Sequence, residues 1–486
     1  MVQRLGEHAV VLGGGMAGLM TCRVLADRYR KVSVIDRDTL TGVTRARGGV
    51  PQARHAHALL ARGQQTMEEL FPGLQEELDA AGVLTGDVAG DLRWYLDGRP
   101  LRRARSGALS VSAARPDLEA HVRARVAALP NVEFRENTVI QGLTASADRG
   151  RVTGVRLAGD GPAPETLAAD LVVDTTGRGS RTPLWLQELG YERPPEDRVK
   201  IDLAYTSRFF RLDSDPFGDA LAINPLSSPA NPRGAFFGKF PDGIALLSLT
   251  GMLGDHPPRD HEGFLRFAAT LQPPEIYQAV RTAEPLGDIA SFRVPASVRR
   301  RYDRLRRFPA GLLVLGDALC VFNPVYGQGM TLAAMEAHAL AAHLAAGEPR
   351  PLRFFREVKP FIDVAWETSA SADLAYPGVE GPRTLKVRLG NAYMARFLEA
   401  AQNDGRFTAT FFRVAGLLDP PQTLMRPGLV RDVLRASRRG SRRSPAAAGP
   451  PGCSTTPPPL PGTAPPSAAA RSDVRMAGPL GPAIRV

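Results

Sequence analysis

His8-Ala9-Val10-Val11-Leu12-Gly13-Gly14-Gly15-Met16-Ala17-Gly18 decides how the chain starts to fold. The short apolar run ending at Leu12 suits a parallel strand buried on both faces. Gly13, Gly15 and Gly18 follow in G-x-G-x-x-G register. The first permits a tight turn, the second lets a pyrophosphate approach the backbone, and the third lets a helix over Met16 to Tyr29 pack on the strand. The start of that helix offers free N–H groups and a positive dipole end to phosphate. Lys31 to Ile35 reads as a second strand ending at Asp36, about twenty residues after Gly13, where an acid accepts bonds from a ribose diol. The unit is βαβ, and the acid disfavours a 2′-phosphate.

A second buried-strand run, Gly311 to Leu315, leads into Gly316-Asp317 and puts a carboxylate at a strand's carboxyl end, where open α/β sheets bind ligands. Asp317 suits a ribityl hydroxyl. After Pro324, Gly327-Gln328-Gly329 opens a long helix, roughly Met330 to Ala345, whose N-terminal dipole would stabilise negative charge on a reduced flavin. Between them lies Asp174-Thr175-Thr176-Gly177-Arg178-Gly179-Ser180-Arg181. The ordered set points to one FAD.

These segments resemble the three fingerprints of the group A flavin monooxygenases, the para-hydroxybenzoate hydroxylase family. Gly49 to His57, Val173 to Ser180 and Phe322 to Gly327 are most similar to the polyether epoxidases of monensin and lasalocid biosynthesis, and more distantly to squalene epoxidase. The resemblance implies an α/β fold: a Rossmann-like FAD-binding domain interleaved with an antiparallel-sheet substrate domain, plus C-terminal helices. It implies FAD held by Gly13, Gly15, Met16, Ala17, Gly18, Asp36, Arg47, Arg115, Asp174, Gly177, Gly316, Asp317, Pro324, Gly327, Gln328 and Gly329. Arg47 and Arg115 match positions where relatives contact the flavin or its phosphates, which a bidentate guanidinium suits. Two departures stand out: the middle segment reads Asp-Thr-Thr-Gly where aromatic hydroxylases carry Asp-Gly, and Cys320 stands where many relatives place His.

The implied chemistry is an FAD-dependent monooxygenase in which reduced FAD and dioxygen give a C4a-hydroperoxide. One oxygen atom then passes to an apolar natural-product intermediate by epoxidation or hydroxylation. Epoxidation needs no protein base, so no residue is assigned a catalytic role. NAD(P)H serves as a transient reductant, or a partner flavin reductase supplies the electrons, and the substrate is either free or carrier-bound. The alternatives are a reductase or dehydrogenase of the geranylgeranyl-reductase type and a non-enzymatic flavoprotein. Flavin halogenases share the fold but resemble one another in a Trp-x-Trp-x-x-Pro run and a catalytic Lys, whereas Trp94, Trp185 and Trp366 are isolated here.

The organisation expected is an FAD-binding lobe over 1–200 with a substrate-side insertion at about 60–110, a substrate-binding sheet over 201–296, and the rest of the FAD lobe over 297–345. A helical region over 346–438 and a disordered Pro/Ala/Gly/Ser-rich tail over 439–486 follow. Strand-like runs at Ile201–Phe210, 234–240 and 244–250 suggest an antiparallel sheet walling a pocket, with Phe209, Phe236 and Tyr326 as candidate lining. Phe411 to Leu418 reads as core. His55 and His57 have no carboxylate or Cys at metal spacing, so both read as satisfied loop histidines and no metal is expected.

At 486 residues and 43% hydrophobic content, the chain buries a large core. The net charge of +11 is scattered arginine, which argues against a nucleic-acid face. Arg299-Arg300-Arg301 and Arg438-Arg439 with Arg442-Arg443 read first as solvated surface and second as a face for an anionic membrane or acidic carrier. Three dispersed cysteines make no disulfide framework. With no leader segment and no apolar run of bilayer length, the expected location is cytoplasmic.

Overall fold

The computed structural model describes residues 3–57, 59–112, 115–158 and 164–441. Residues Met1–Arg439 form one compact unit. The expectation of a disordered tail falls on residues that, beyond 441, lie outside those described, as do Arg442 and Arg443.

A five-stranded sheet carries the cradle. Its order is Leu312–Val314, Leu171–Asp174, Gly6–Leu12, Tyr29–Ile35 and Val132–Arg135, and every pair is parallel. Ala9 to Leu12, Leu171 to Val173 and Leu312 to Val314 have no exposed surface, as strands covered on both faces require. Register places Leu12 beside both Ile35 and Asp174, and Asp174 beside Val314. All three glycine-bearing segments therefore leave the sheet at the same carboxyl edge. The first helix is Met16–Ala26, shorter than expected, because Tyr29 and Arg30 join the second strand through pairing of Tyr29 with Gly6. The long helix Gln328–Ala345 packs against it.

The other large sheet has eight strands, in the order Cys320–Val321, Glu284–Arg300, Glu196–Arg211, Ile244–Gly251, Arg233–Lys239, Ala222–Leu226, Leu92–Leu96 and Arg99–Pro100. It is antiparallel except where Ala222–Leu226 runs parallel to Leu92–Leu96. It reaches beyond 201–296 because its two longest strands pair from Glu196 with Arg300 to Arg211 with Glu284. Strand alternation divides its side chains. Phe210, Ile223, Phe237, Leu247 and Leu249 pack under the helices His261–Ala268 and Glu275–Val280. Tyr205, Ser207, Ser248 and Phe236 stand on the opposite face.

Beyond residue 350 the described chain is helical: Pro351–Asp373, Leu385–Ala401, Gly405–Ala415 and Pro427–Ser441. Phe354, Phe355, Val358 and Ile362 of the first join the main core. Phe397, Phe407 and Phe412 build another against Trp94, whose ring lies 4.6 Å from that of Phe412. Among the described residues no helix is long and apolar enough to cross a membrane.

Candidate active site

The first turn shows which glycines the protein itself demands. A Cβ on Gly13, at φ +96°, would stand 2.9 Å from the Thr175 carbonyl oxygen, and one on Gly18 only 1.9 Å from the Gly13 carbonyl oxygen. Thr175 Oγ1 bonds the carbonyls of Leu12 and Gly13 at 2.8 and 2.9 Å, locking turn and middle segment together. Gly15 differs: nothing lies within 4 Å of a Cβ there, and no side chain caps the helix it opens. The N–H groups of Met16 and Ala17 have no partner among the described residues, and with the space at Gly15 open the turn suits a pyrophosphate.

Asp36 ends its strand as expected. Its Oδ2 accepts from Gly14 N–H at 2.7 Å and its Oδ1 from Asp38 N–H at 2.8 Å. Arg47 keeps different company from that expected. Its Nη2 donates to Glu119 Oε1 at 2.6 Å and to the Gly14 carbonyl at 3.2 Å, and its Nη1 approaches Asp38 and Asp36 at 3.3 and 3.6 Å. With the fork closed on carboxylates, Arg47 shapes the turn rather than presenting donors to a phosphate. Glu119 holds Arg47, Arg115 and Arg123 together. Burial opposes its ionisation, yet Arg115 and Arg47 foremost keep its carboxyl below the usual range.

Asp174 also departs from expectation. It has no exposed surface, and its carboxylate accepts from Thr176 N–H and Oγ1, Ser180 Oγ and Thr182 Oγ1 at 2.5 to 2.9 Å. Its carboxylate therefore clamps its own loop and is closed to a ligand. That clamp fixes Gly177 at φ +77°, with its Cβ position 3.9 Å from the Cβ of Asp317.

In the third segment, Gly316 adopts φ +66°, and its Cβ would strike Ala17 Cβ at 2.8 Å. Its N–H donates to Glu336 Oε2 at 2.5 Å. Glu336 is 1% exposed, and burial, with Asp317 adding repulsion, pushes its carboxyl up to about 8. The Asp317 carboxylate makes no hydrogen bond among the described residues; burial raises its pKa against the pull of Arg115, Arg178 and Arg300. Pro324 starts a short turn, Gly327 at φ +68° opens the helix, and a Cβ on Gly329 would sit 3.7 Å from Asp317 Oδ1. Gln328 is 3% exposed with Oε1 buried and unpartnered. Open space at Gly15, an unbonded Asp317 and an orphaned Gln328 oxygen offer a pyrophosphate and a polyol chain room and partners, so these residues fit FAD.

Arg115 opens the helix Arg115–Ala127 and reaches Glu119 only weakly, at 3.4 Å, while its charge acts on His57 and Asp317. Burial, then Arg115, depresses His57 to about 3. His55 is not the satisfied loop histidine expected. Its Nδ1 lies 2.7 Å from Ser207 Oγ, but its Nε2 is buried without a partner, and burial lowers it to about 4. Phe209 meets Phe240 edge-on at 5.5 Å, and Tyr326 donates to Asp373. Among the described residues no cluster of His, Cys, Asp and Glu is arranged for a metal.

Arg299-Arg300-Arg301 corrects the surface reading. Their side chains are 5%, 10% and 8% exposed, paired with Asp363, Glu196 and Asp197 with Asp303. Arg300 also donates to the carbonyls of Asp317, Ala318 and Arg178 at 3.3, 2.8 and 3.0 Å, tying the second and third segments together. Buried and neutralised, the cluster offers no docking charge. Glu119 was legible as the residue one turn from Arg115 and Arg123, whereas the partners of Arg300, Glu336 and Asp373 have no local signal.

The description "FAD binding domain" matches residues 7–348. Protein Rv3254 of Mycobacterium tuberculosis is 34% identical over 446 residues, covering 86% of this chain and 92% of that protein. Kynurenine 3-monooxygenase of Salinispora tropica is 25% identical over 421 residues, 80% of this chain and 83% of that one. Among solved structures, the flavin-dependent brominase Bmp2 shares the fold with a TM-score of 0.62 at 16% identity, over 90% of this chain and 100% of that chain. With most of its length matched and its glycine turns shaped for a dinucleotide, the chain belongs to the FAD binding domain family.

Proposed function

We propose that the protein is an FAD-dependent monooxygenase that inserts one oxygen atom from O2 into an apolar natural-product intermediate, by epoxidation or hydroxylation. The observation that carries this is the cradle at one sheet edge, joined to the eight-stranded sheet through Arg178, which donates to the Arg293 carbonyl and lies 4.6 Å from the Phe292 ring, and through Arg300. Bound FAD supplies the electron transfer and oxygen activation. Asp36 receives the ribose, the N–H groups after Gly15 take the pyrophosphate, and Asp317 takes a ribityl hydroxyl. The N-terminus of Gln328–Ala345 would lend its positive dipole end to negative charge on the reduced ring. Arg47, Asp174, Glu119 and Arg300 hold these groups in place. The sheet face orients the substrate and its apolar side chains exclude water.

An alkene loses no proton on epoxidation, so that outcome asks for no protein base, whereas hydroxylation of a phenol gains from one. The reductant is NAD(P)H docking transiently or a partner reductase. Halogenation, which the shared fold of Bmp2 brings to mind, is disfavoured by the lysines. All five, Lys31, Lys200, Lys239, Lys359 and Lys386, are engaged with surface carboxylates. Anaerobic reduction followed by an oxygen pulse tests the proposal. A transient absorbing species distinct from reduced and oxidised flavin is expected; immediate return to oxidised flavin would instead favour the reductase or dehydrogenase of geranylgeranyl-reductase type.

A further inference from the structure

One face of the eight-stranded sheet carries polar groups whose partners within the protein are incomplete. Ser207 pairs with Ser248, and Ser248 with Phe236. Ile223 pairs with Phe237, so its successor Asn224 turns to the face of Phe236, Ser248 and Ser207. Tyr205, two residues before Ser207, shares that face and lies 5.6 Å, ring to ring, from His55.

Some polar groups there are satisfied. Ser207 and Ser248 bond each other at 2.5 Å, and Trp94 Nε1, beside Asn224, donates to the Val88 carbonyl at 2.7 Å. Others are not. His55 is 5% exposed with Nε2 unpartnered, the Tyr205 hydroxyl is buried without a partner, and Asn224 is 2% exposed with both amide atoms unpartnered. A buried donor or acceptor without a partner is costly, so three on one face call for a ligand that completes them. Two locations result, one at His55 and Tyr205 on the strand Glu196–Arg211, the other at Asn224 on Ala222–Leu226. Three strand spacings separate those strands, which is about 14 Å.

We propose, resting on the monooxygenase reading, that this face takes an elongated, mostly apolar substrate bearing two oxygen functions about 14 Å apart. One oxygen function is held at His55 and Tyr205, the other at Asn224. At neutral pH His55 is uncharged, so it offers a single acceptor or donor to a hydroxyl or carbonyl and no ion pair. The middle of the substrate crosses Phe236 and Thr250, leaving a carbon chain between the anchors as the part presented for oxidation.

Calorimetric titration of the FAD-loaded full chain with 1,10-decanediol and 1-decanol tests this, because the two differ by one hydroxyl and the diol's extended span matches the anchors. Asn224→Leu and His55→Phe should each weaken diol binding about tenfold and leave decanol within about twofold in at least one variant. Asn224→Leu, nearly isosteric, should also unfold at a higher temperature than the parent, since it removes an unpartnered amide; a merely structural asparagine would give the reverse. Diol affinity unchanged in both variants, or a lower unfolding temperature for Asn224→Leu, overturns the proposal. The same titrations on flavin-free protein separate the two claims. Diol discrimination in a chain that refuses FAD would support this face while sinking the monooxygenase reading.

Discussion

The phenol of Tyr326 donates to Oδ1 of Asp373 at 2.9 Å, joining the turn before helix Gln328–Ala345 to the last residue of helix Pro351–Asp373. Asn323 Nδ2 donates to the same oxygen at 2.7 Å, while Oδ2 is buried without a partner. Burial pushes the Asp373 carboxyl up to about 6, against the opposing effect of the two donors. A carboxyl raised in the folded state binds its proton more tightly there than in the unfolded chain. Its contribution to stability is therefore complete below about pH 4 and lost as pH rises through 6. Two units of displacement correspond to about 3 kcal/mol. Asp373→Asn keeps an acceptor for Tyr326 and cannot ionise. Denaturant unfolding of both proteins should show the variant gaining on the parent between pH 4.5 and 7 by about 2–3 kcal/mol, and no further above that. A difference independent of pH would remove the buried-acid account.

Glu336 carries a second buried carboxyl, and here the bonded partner is backbone. Because its Oε2 accepts from Gly316 N–H, Glu336→Gln preserves the bond, whereas Glu336→Ala leaves that N–H unpaired beneath Asp317. The glutamine variant should retain FAD as the parent does. The alanine variant should lose roughly tenfold in affinity, measured by recovery of flavin fluorescence on dilution. Equal loss in both would mean that the carboxylate, rather than the acceptor, is what the turn requires.

The cradle was readable because its causes are local. Apolar runs before Gly13 and Gly316 can be satisfied only by buried strands, and Gly13, Gly18 and Gly316 are glycine because backbone or side-chain atoms stand where a Cβ would go. What failed to be read depends on direction or distance. Motif position cannot say whether the Asp174 carboxylate faces a ligand or its own loop, and the structure turns it inward onto Thr176, Ser180 and Thr182. Three consecutive arginines look like surface charge until Asp363 and Asp197 and the carbonyls of the flanking turns arrive from remote segments. Asn224 gave no signal, since its role depends on which face of a strand it occupies.

Asp317 is the one carboxylate of the three segments left without a hydrogen bond among the described residues, so its replacement isolates ligand contact from fold. Asp317→Ala removes a group that repels Glu336. The apo protein should unfold at an unchanged or slightly higher temperature. FAD affinity should fall about 10- to 100-fold, as expected for loss of one or two bonds from a charged acceptor. A variant that elutes from gel filtration fully yellow would contradict the ribityl assignment.

Gly15 and Gly18 separate binding from folding most sharply. At Gly18 a methyl group would lie 1.9 Å from the Gly13 carbonyl oxygen, a backbone atom held in place by Thr175. Gly18→Ala must therefore push the helix Met16–Ala26 off its strand, and the expected result is several kcal/mol of destabilisation, as for other overpacked sites. At Gly15 the methyl meets nothing within 4 Å. Gly15→Ala should fold with an unfolding temperature at or above that of the parent, since a less flexible unfolded chain favours the native state. The same methyl occupies the space through which a pyrophosphate reaches the helix N–H groups, so FAD affinity should drop at least about tenfold. Thermal melts of the apo forms and flavin titration of each give four numbers. A Gly15→Ala protein that melts normally and binds FAD as well as the parent would show that the open space above this turn belongs to some other ligand.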